Sequence, residues 1–308
     1  MIHLLLVAAF WAGLADDTAC DGVGPELQAA AKALEAKDFT QTQRILEPLQ
    51  GDHPKCSGVM VALGRAYLGQ AAYLRASTLS ELALLNSPDD PSALLFRGEM
   101  LAMQGKTPQA EELVQKACRL EPNNAAAHFQ LGVIFDQTRR RRQAAEEFQI
   151  VVKLKPADPQ AWDYLALNLE PMGEIAKAEA AYQQGIAANT GPNFDGFLDY
   201  NYGRLLFKLN RLAESKQHLD KALELAPNVR AVFYDHAKLN LRLGKLEDAR
   251  RDAERAGKLA DPGGFILDLQ IYSLLATIYT RLGESALAQE YIDLAERSSV
   301  PLRSRDRK

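Results

Sequence analysis

Five histidines, three cysteines and one Gly-Lys-Thr triplet are the residues of this 308-residue chain whose types could do chemistry. A metalloprotease site puts two histidines four apart on one helix with a glutamate between them. His3, His53, His128, His218 and His236 stand far from one another, and no pair has that spacing. Cys20, Cys56 and Cys118 include no Cys-x-x-Cys pair for zinc or redox work. Gly105-Lys106-Thr107 ends like a phosphate loop, but the glycine required five residues earlier is Met100. No Gly-x-Ser-x-Gly elbow and no Gly-x-Gly-x-x-Gly turn occurs. Glu111 and Glu112 fit an exposed helix face, solvated and paired with nearby bases. The sequence therefore assigns no catalytic residue, no metal ligand and no cofactor, and a binding role takes the place of a chemical one.

Composition narrows the class of binder. Apolar residues make up 47% and charged residues 25%, the balance of a soluble globular chain. A net charge of −4 argues against a dedicated nucleic-acid binder, which must neutralise phosphates. No apolar run reaches the ~20 residues of a membrane-spanning helix. Alanine and leucine are abundant and β-branched residues few, which favours helices over strands.

The elements that position these side chains recur. Pro54, Pro88, Pro122 and Pro156 are each 34 residues apart. Gly64, Gly98 and Gly132 keep that interval, with Ala166 next, and so do Ala76, Ala110, Ala144 and Ala178. After an insertion of three residues the phase resumes at Ser215 and Ala249, and after one of five at Ala288. The units are 23–56, 57–90, 91–124, 125–158, 159–195, 196–229, 230–268 and 269–302, the first being the weakest match. A fixed period of this length signals stacked repeats, each too small to bury its own apolar face. Each unit carries two amphipathic stretches. Small residues in the Gly64 and Ala76 columns let two helices approach closely. Gly105, Gly173, Gly244 and Gly283 mark the turn between them, and the proline column ends the second helix. His128 falls in the Trp162 column and His236 in the Leu165 column, so both are expected to pack on helix faces.

Leu63-Gly64, Tyr67, Ala76, Ala83 and Pro88 resemble the tetratricopeptide repeat family. So do Leu131-Gly132, Phe135, Ala144, Phe148 and Pro156, and Trp162, Leu165, Ala166, Ala178 and Tyr182. The resemblance covers residues 23–302. It implies an all-α fold, a right-handed superhelical solenoid of helix–turn–helix repeats, and a role in holding proteins or peptides. Three places depart from the pattern. Asn189-Thr190-Gly191-Pro192-Asn193 and Asp261-Pro262-Gly263-Gly264 are expected bends, and Pro171 is expected to shorten a first helix. Arg139-Arg140-Arg141-Arg142 fills a turn, read either as a solvated turn or as a contact for an acidic partner or anionic lipid.

In arrays of this family the first helices line a concave groove. Carried onto this sequence, that face holds Phe96, Phe129, Tyr164, Tyr200 and Tyr234, with Phe197 and Phe207 beside them. Aromatic rings are good anchors because they offer large contact area with few rotors. The competing reading packs the same rings between adjacent first helices. Asn201 is expected to hydrogen-bond a ligand backbone. Glu99, Asp136, Asp163 and Glu170 fall in the middle units, whereas Arg204, Lys208, Lys238, Arg242 and Arg281 fall in the last three, with Asp235 as an exception. The expected groove is bipolar, with its C-terminal half suited to an acidic segment. The asparagine ladder and the lysine–asparagine clamp of some family members are not present in their columns.

The ends concern location. Leu4 to Ala15 is apolar and uncharged, too short to span a bilayer, and ends in the small residues Gly13 and Ala15. It is read as a signal peptide, residues 1–15, cleaved after Ala15, although it lacks an N-terminal Lys or Arg. Residues 16–22 then form a linker, and 303–308 a basic tail. The expected location is periplasmic or secreted; the alternative is a cytoplasmic adaptor that keeps the segment as a helix. In an oxidising compartment Cys20 and Cys56 could join. Lipidation of Cys20 is the other option, disfavoured by Asp17 three residues before it. The expected function is a non-enzymatic scaffold for a protein or peptide partner in envelope assembly or secretion. Self-association through an uncapped end is open to it.

Overall fold

The computed structural model describes residues 20–190 and 196–299. The signal segment 1–15, most of the linker, residues 191–195, which include Gly191, Pro192 and Asn193 of the expected bend, and the tail 303–308 lie outside the described residues. The described residues hold sixteen α-helices and no strand. They fall into two compact units, one ending at residue 157, the other comprising residues 158–170 and 174 onward.

The N-terminal unit contains four helix pairs. They are α1 (Gly24–Glu35) with α2 (Phe39–Asp52), α3 (Ser57–Gly69) with α4 (Tyr73–Asn86), α5 (Pro91–Met103) with α6 (Thr107–Leu120), and α7 (Ala125–Gln137) with α8 (Arg141–Leu154). The C-terminal unit contains four more. They are α9 (Pro159–Leu169) with α10 (Ile175–Ala188), α11 (Leu198–Lys208) with α12 (Leu212–Leu225), α13 (Arg230–Arg242) with α14 (Leu246–Lys258), and α15 (Asp268–Leu282) with α16 (Ser285–Ser299).

The periodic columns explain the pairing. Gly132 lies so close to the Phe148 ring that a Cβ there would sit 2.9 Å from it, and at Gly98 a Cβ would meet Val114 Cγ2 at 2.5 Å. The facing column, Thr42, Ala76, Ala110, Ala144, Ala178, Ser215 and Ala249, is fully buried. Small residues on both sides thus set the distance at which α-helices of one pair cross.

Every pair turns in the same way. Lys37, Ala71, Gly105, Arg139, Gly173, Asn210, Gly244 and Gly283 all have positive φ, and all occupy one column. The following amide donates back to the carbonyl five residues earlier, as in Lys106 to Leu101 (2.9 Å) and Arg140 to Phe135 (2.8 Å). This left-handed cap satisfies carbonyls that the first helix would leave open. Glycine fills four of the eight places, and non-glycine residues bear the left-handed strain in the others.

First helices begin on another column. Asp90, Asn124 and Asp158 each accept hydrogen bonds from amides in the first turn of the helix that follows. Cys56 holds the same position before α3, its Sγ accepting from the Val59 amide, and it is joined to Cys20 in a disulfide. α9 stops at Leu169 and passes into a 3-10 turn at Glu170–Met172, where Pro171 cannot continue the helix. The 261–264 segment lies in the connection between α14 and α15. Arg230 ties this connection down, donating to the carbonyls of Ala256 (3.1 Å) and Ile266 (3.0 Å) and pairing with Asp268 (2.8 Å).

Candidate functional site

The first-helix face of the N-terminal unit is mostly closed by its own side chains. Phe96, expected in a ligand-facing wall, has 0% exposure and fills the space above Gly64. Phe129 is also buried, edge-on to Phe148 at 5.4 Å between ring centres. Both are core residues, and the expectation of groove anchors fails for them because Phe96 closes over Gly64 and Phe129 packs on the Phe148 ring that closes over Gly132. Beside Phe96, Arg65 of α3 reaches Glu99 of α5 at 3.1 Å. Burial pushes the Glu99 carboxyl up despite this guanidinium.

In the C-terminal unit the same face is a polar network. Asn201 on α11 donates to both carboxylate oxygens of Asp163 on α9, at 3.0 and 2.9 Å, and accepts from Arg204 at 3.3 Å. It is buried, and its amide joins two repeats, so the expected ligand-backbone contact is corrected to a structural bridge. Tyr200 is buried as well and donates to Asp235 of α13 at 2.8 Å, and burial raises its hydroxyl pKa. Arg204 lies over the Tyr200 ring and 3.8 Å from Asp235. Lys238 bonds the other Asp235 oxygen at 2.9 Å and sits over the Phe207 and Tyr234 rings. Lys208 reaches Glu170 at 3.2 Å, and Tyr182 also donates to Glu170. Tyr164, Phe207 and Tyr234 are partly exposed, and Lys208 and Arg242 are exposed.

The histidines do structural work. Both ring nitrogens of His128 face acceptors, Nδ1 the Glu147 carboxylate (2.6 Å) and Nε2 the Pro122 carbonyl (3.0 Å), so the ring is doubly protonated. Contact with Cys118 and the Glu147 bond raise its pKa to about 10. His218 of α12 pairs with Asp199 of α11 at 2.7 Å. Asp199 lies in the His128 column and His218 in the Glu147 column, so the two repeats carry the same pair with its polarity reversed. His236 lies between Asp252 (2.7 Å) and Asp220 (2.9 Å). Burial opposes its charge, yet the two carboxylates outweigh that and its pKa is raised. Among the described residues no three His, Cys, Asp or Glu side chains are grouped to hold a metal ion.

Two of the four consecutive arginines are engaged within the N-terminal unit. Arg140 forms a two-pronged pair with Glu111 and covers the Phe135 ring at 4.3 Å, and Arg141 pairs with Asp136. Among the described residues no helix is long and apolar enough to cross a membrane.

Sequence reasoning missed the N-cap role of Cys56 and the Arg230 anchor. The first was visible as a 34-residue column with Asp90, Asn124 and Asp158. The second had no periodic signal, because the insertion that creates it breaks the phase.

A sequence profile described as "Tetratricopeptide repeat" matches residues 61–125, 104–159 and 129–192, and a second of the same description matches 200–229. Human protein O-mannosyl-transferase TMTC1 is 24% identical over 196 residues, 62% of this chain and 22% of that protein. A TPR repeat-containing protein of Dictyostelium discoideum is 29% identical over 112 residues, 34% of this chain and 43% of that protein. The chain thus spans less than half the length of these curated relatives. Among solved structures, the APC/C hetero-tetramer Cut9–Hcn1 superimposes with a TM-score of 0.71 at 18% identity, over 84% of this chain and 49% of that one. Pseudomonas aeruginosa pilF gives 0.60 at 17% identity, over 70% of this chain and 96% of that one.

Proposed function

The chain belongs to the tetratricopeptide repeat family, and from that premise we propose that it is a non-enzymatic scaffold that holds a protein or peptide partner. The binding surface is the first-helix face of the C-terminal unit. The observation that carries this is the mixture found there: the partly exposed rings of Tyr164, Phe207 and Tyr234 together with the exposed charged ends of Lys208 and Arg242. Such a surface offers apolar anchoring and polar register together, as protein recognition requires. A photo-reactive amino acid placed at Tyr164, Lys208 or Arg242 should cross-link a polypeptide in cells of the source organism. The same group at Gln217, exposed on α12, should not. Cross-links from Gln217 alone, or from none of the four positions, would reject the reading.

The working place is the periplasm or the cell exterior, with the partner in envelope assembly or secretion. The disulfide between Cys20 and Cys56 supports an oxidising compartment, and the apolar run before Asp16 supports export. Mass measurement of the protein from its source tests both points. The expected mature N-terminus is Asp16, and the expected mass is two hydrogens short of the dithiol.

A further inference from the structure

The charges on the C-terminal first-helix face are sorted by depth. Its acids lie low: Asp163 is 5% exposed, and the side chains of Glu170 and Asp235 are 10% and 13% exposed. Each is already bonded by a neighbour, Asp163 by Asn201, Glu170 by Lys208 and Tyr182, Asp235 by Tyr200 and Lys238. The cations stand above them, with Lys208 at 55% and Lys238 at 36%. A ligand arriving at this face therefore meets cations, in a chain whose net charge is −4.

One of these cations, Lys208, belongs to a column of three. Lys208, Arg242 and Arg281 occupy equivalent positions in the last turns of α11, α13 and α15, and all three are exposed. Cations at helix C-termini favour the macrodipole, which alone would account for a scattered basic residue at such sites. The N-terminal unit shows that the fold does not require them. There the same column reads Glu35, Gly69, Met103 and Gln137, at helix ends with the same turn. The hydrogen bonds of Arg242 to Asn210 Oδ1 and of Arg281 to the Leu241 carbonyl are long, 3.4 Å each, and leave donors of both guanidinium groups for other acceptors.

Resting on the scaffold reading above, we propose that Lys208, Arg242 and Arg281 form a cationic ladder that binds an extended acidic polypeptide segment, one carboxylate per repeat. Phe207 and Tyr234 flank the ladder and take the apolar stems or rings between the acids. Charge complementarity selects this ligand over a neutral or basic one.

The test uses the full chain and fluorescein-labelled dodecamers of three kinds, glutamate-rich, neutral and lysine-rich, together with labelled oligo-dT. Anisotropy titrations at low and high salt read affinity. The glutamate-rich peptide should bind best and weaken as salt rises. A K208E/R242E/R281E variant should lose at least tenfold in affinity, and a K208R/R242K/R281K variant should retain it. R119E/R142E/K153E makes the same change in net charge on exposed second-helix positions and should leave binding unaltered. Circular dichroism of each variant checks that it is folded. Equal losses in both reversal variants would overturn the ladder, since net charge alone would then explain binding. Preference for neutral or lysine-rich peptides would overturn the ladder while leaving the scaffold reading intact, and tighter binding of oligo-dT would replace the peptide with a nucleic acid. If no dodecamer binds, the ladder is refuted and the cross-linking experiment decides the scaffold reading separately.

Discussion

Removing the Cys20–Cys56 bond by Cys20→Ser tests how the first repeat is held. The bond closes a loop across 36 residues that contains α1 and α2. Loop-closure entropy for that length corresponds to about 4 kcal/mol at 25 °C. In a stacked array this stabilisation acts on the repeat it encloses and on its one neighbour, not on the whole chain. The first pair also packs on α3, with Leu27, Ala30, Leu34 and Leu46 buried in the shared core and Tyr67 of α3 donating to Glu47 of α2 at 2.7 Å, and these contacts remain when the bond is removed. Cys20→Ser leaves the Cys56 sulfur in place as the N-cap of α3, so the cap is not lost with the bond. Hydrogen exchange read by mass spectrometry is the assay. At about 1.4 kcal/mol per factor of ten, protection of amides in α1 and α2 should fall by two to three powers of ten. Amides of α11 to α14 should not change. Treating the wild type with reductant should give the same pattern. If α1 and α2 keep their protection to within twofold, the disulfide does not hold this repeat and the entropy argument is wrong here. A uniform loss along the whole chain would refute the claim that stability is local.

Three further outcomes are expected. Arg139 has φ +60 in a column that is glycine in four repeats, so Arg139→Gly should raise the denaturant midpoint, by about 1 kcal/mol of stability. The reverse change, Gly105→Ala, should lower it, and opposite signs would refute the left-handed assignment. His128 is raised from 6.5 to about 10, so its contribution is complete below pH 6.5 and is lost as pH rises through 10. Wild-type stability should fall across that window by up to about 5 kcal/mol more than that of His128→Gln, followed by urea unfolding at each pH; parallel curves would reject the imidazolium. Arg230→Ala removes the donors to Ala256 and Ile266, at a cost of about 2 kcal/mol. It should open residues 259–267 to limited proteolysis, and an unchanged digestion pattern would show that the connection is held by something else.

The sequence by itself determined the repeat. Thirty-four-residue columns of small residues, turn glycines and prolines are local and cumulative, so they specify helices, turns and pairing without knowledge of distant contacts. The left-handed turn at Lys37, Ala71, Arg139 and Asn210 was legible too, since these residues stand in register with Gly105 and Gly173. What the period could not decide was the fate of side chains at the border between two repeats. Phe96 and Tyr164 share a column, yet Phe96 is sealed over Gly64 while Tyr164 is partly exposed. Asn201, in that column too, is consumed by Asp163. Helical periodicity places a residue on a face to within a fraction of a turn. Whether that face is covered depends on the size and charge of a side chain one repeat away. Only the tertiary structure brings the two together, and so only it showed that Lys208 bonds the low-lying Glu170 while Arg242 and Arg281 of the same column stand exposed.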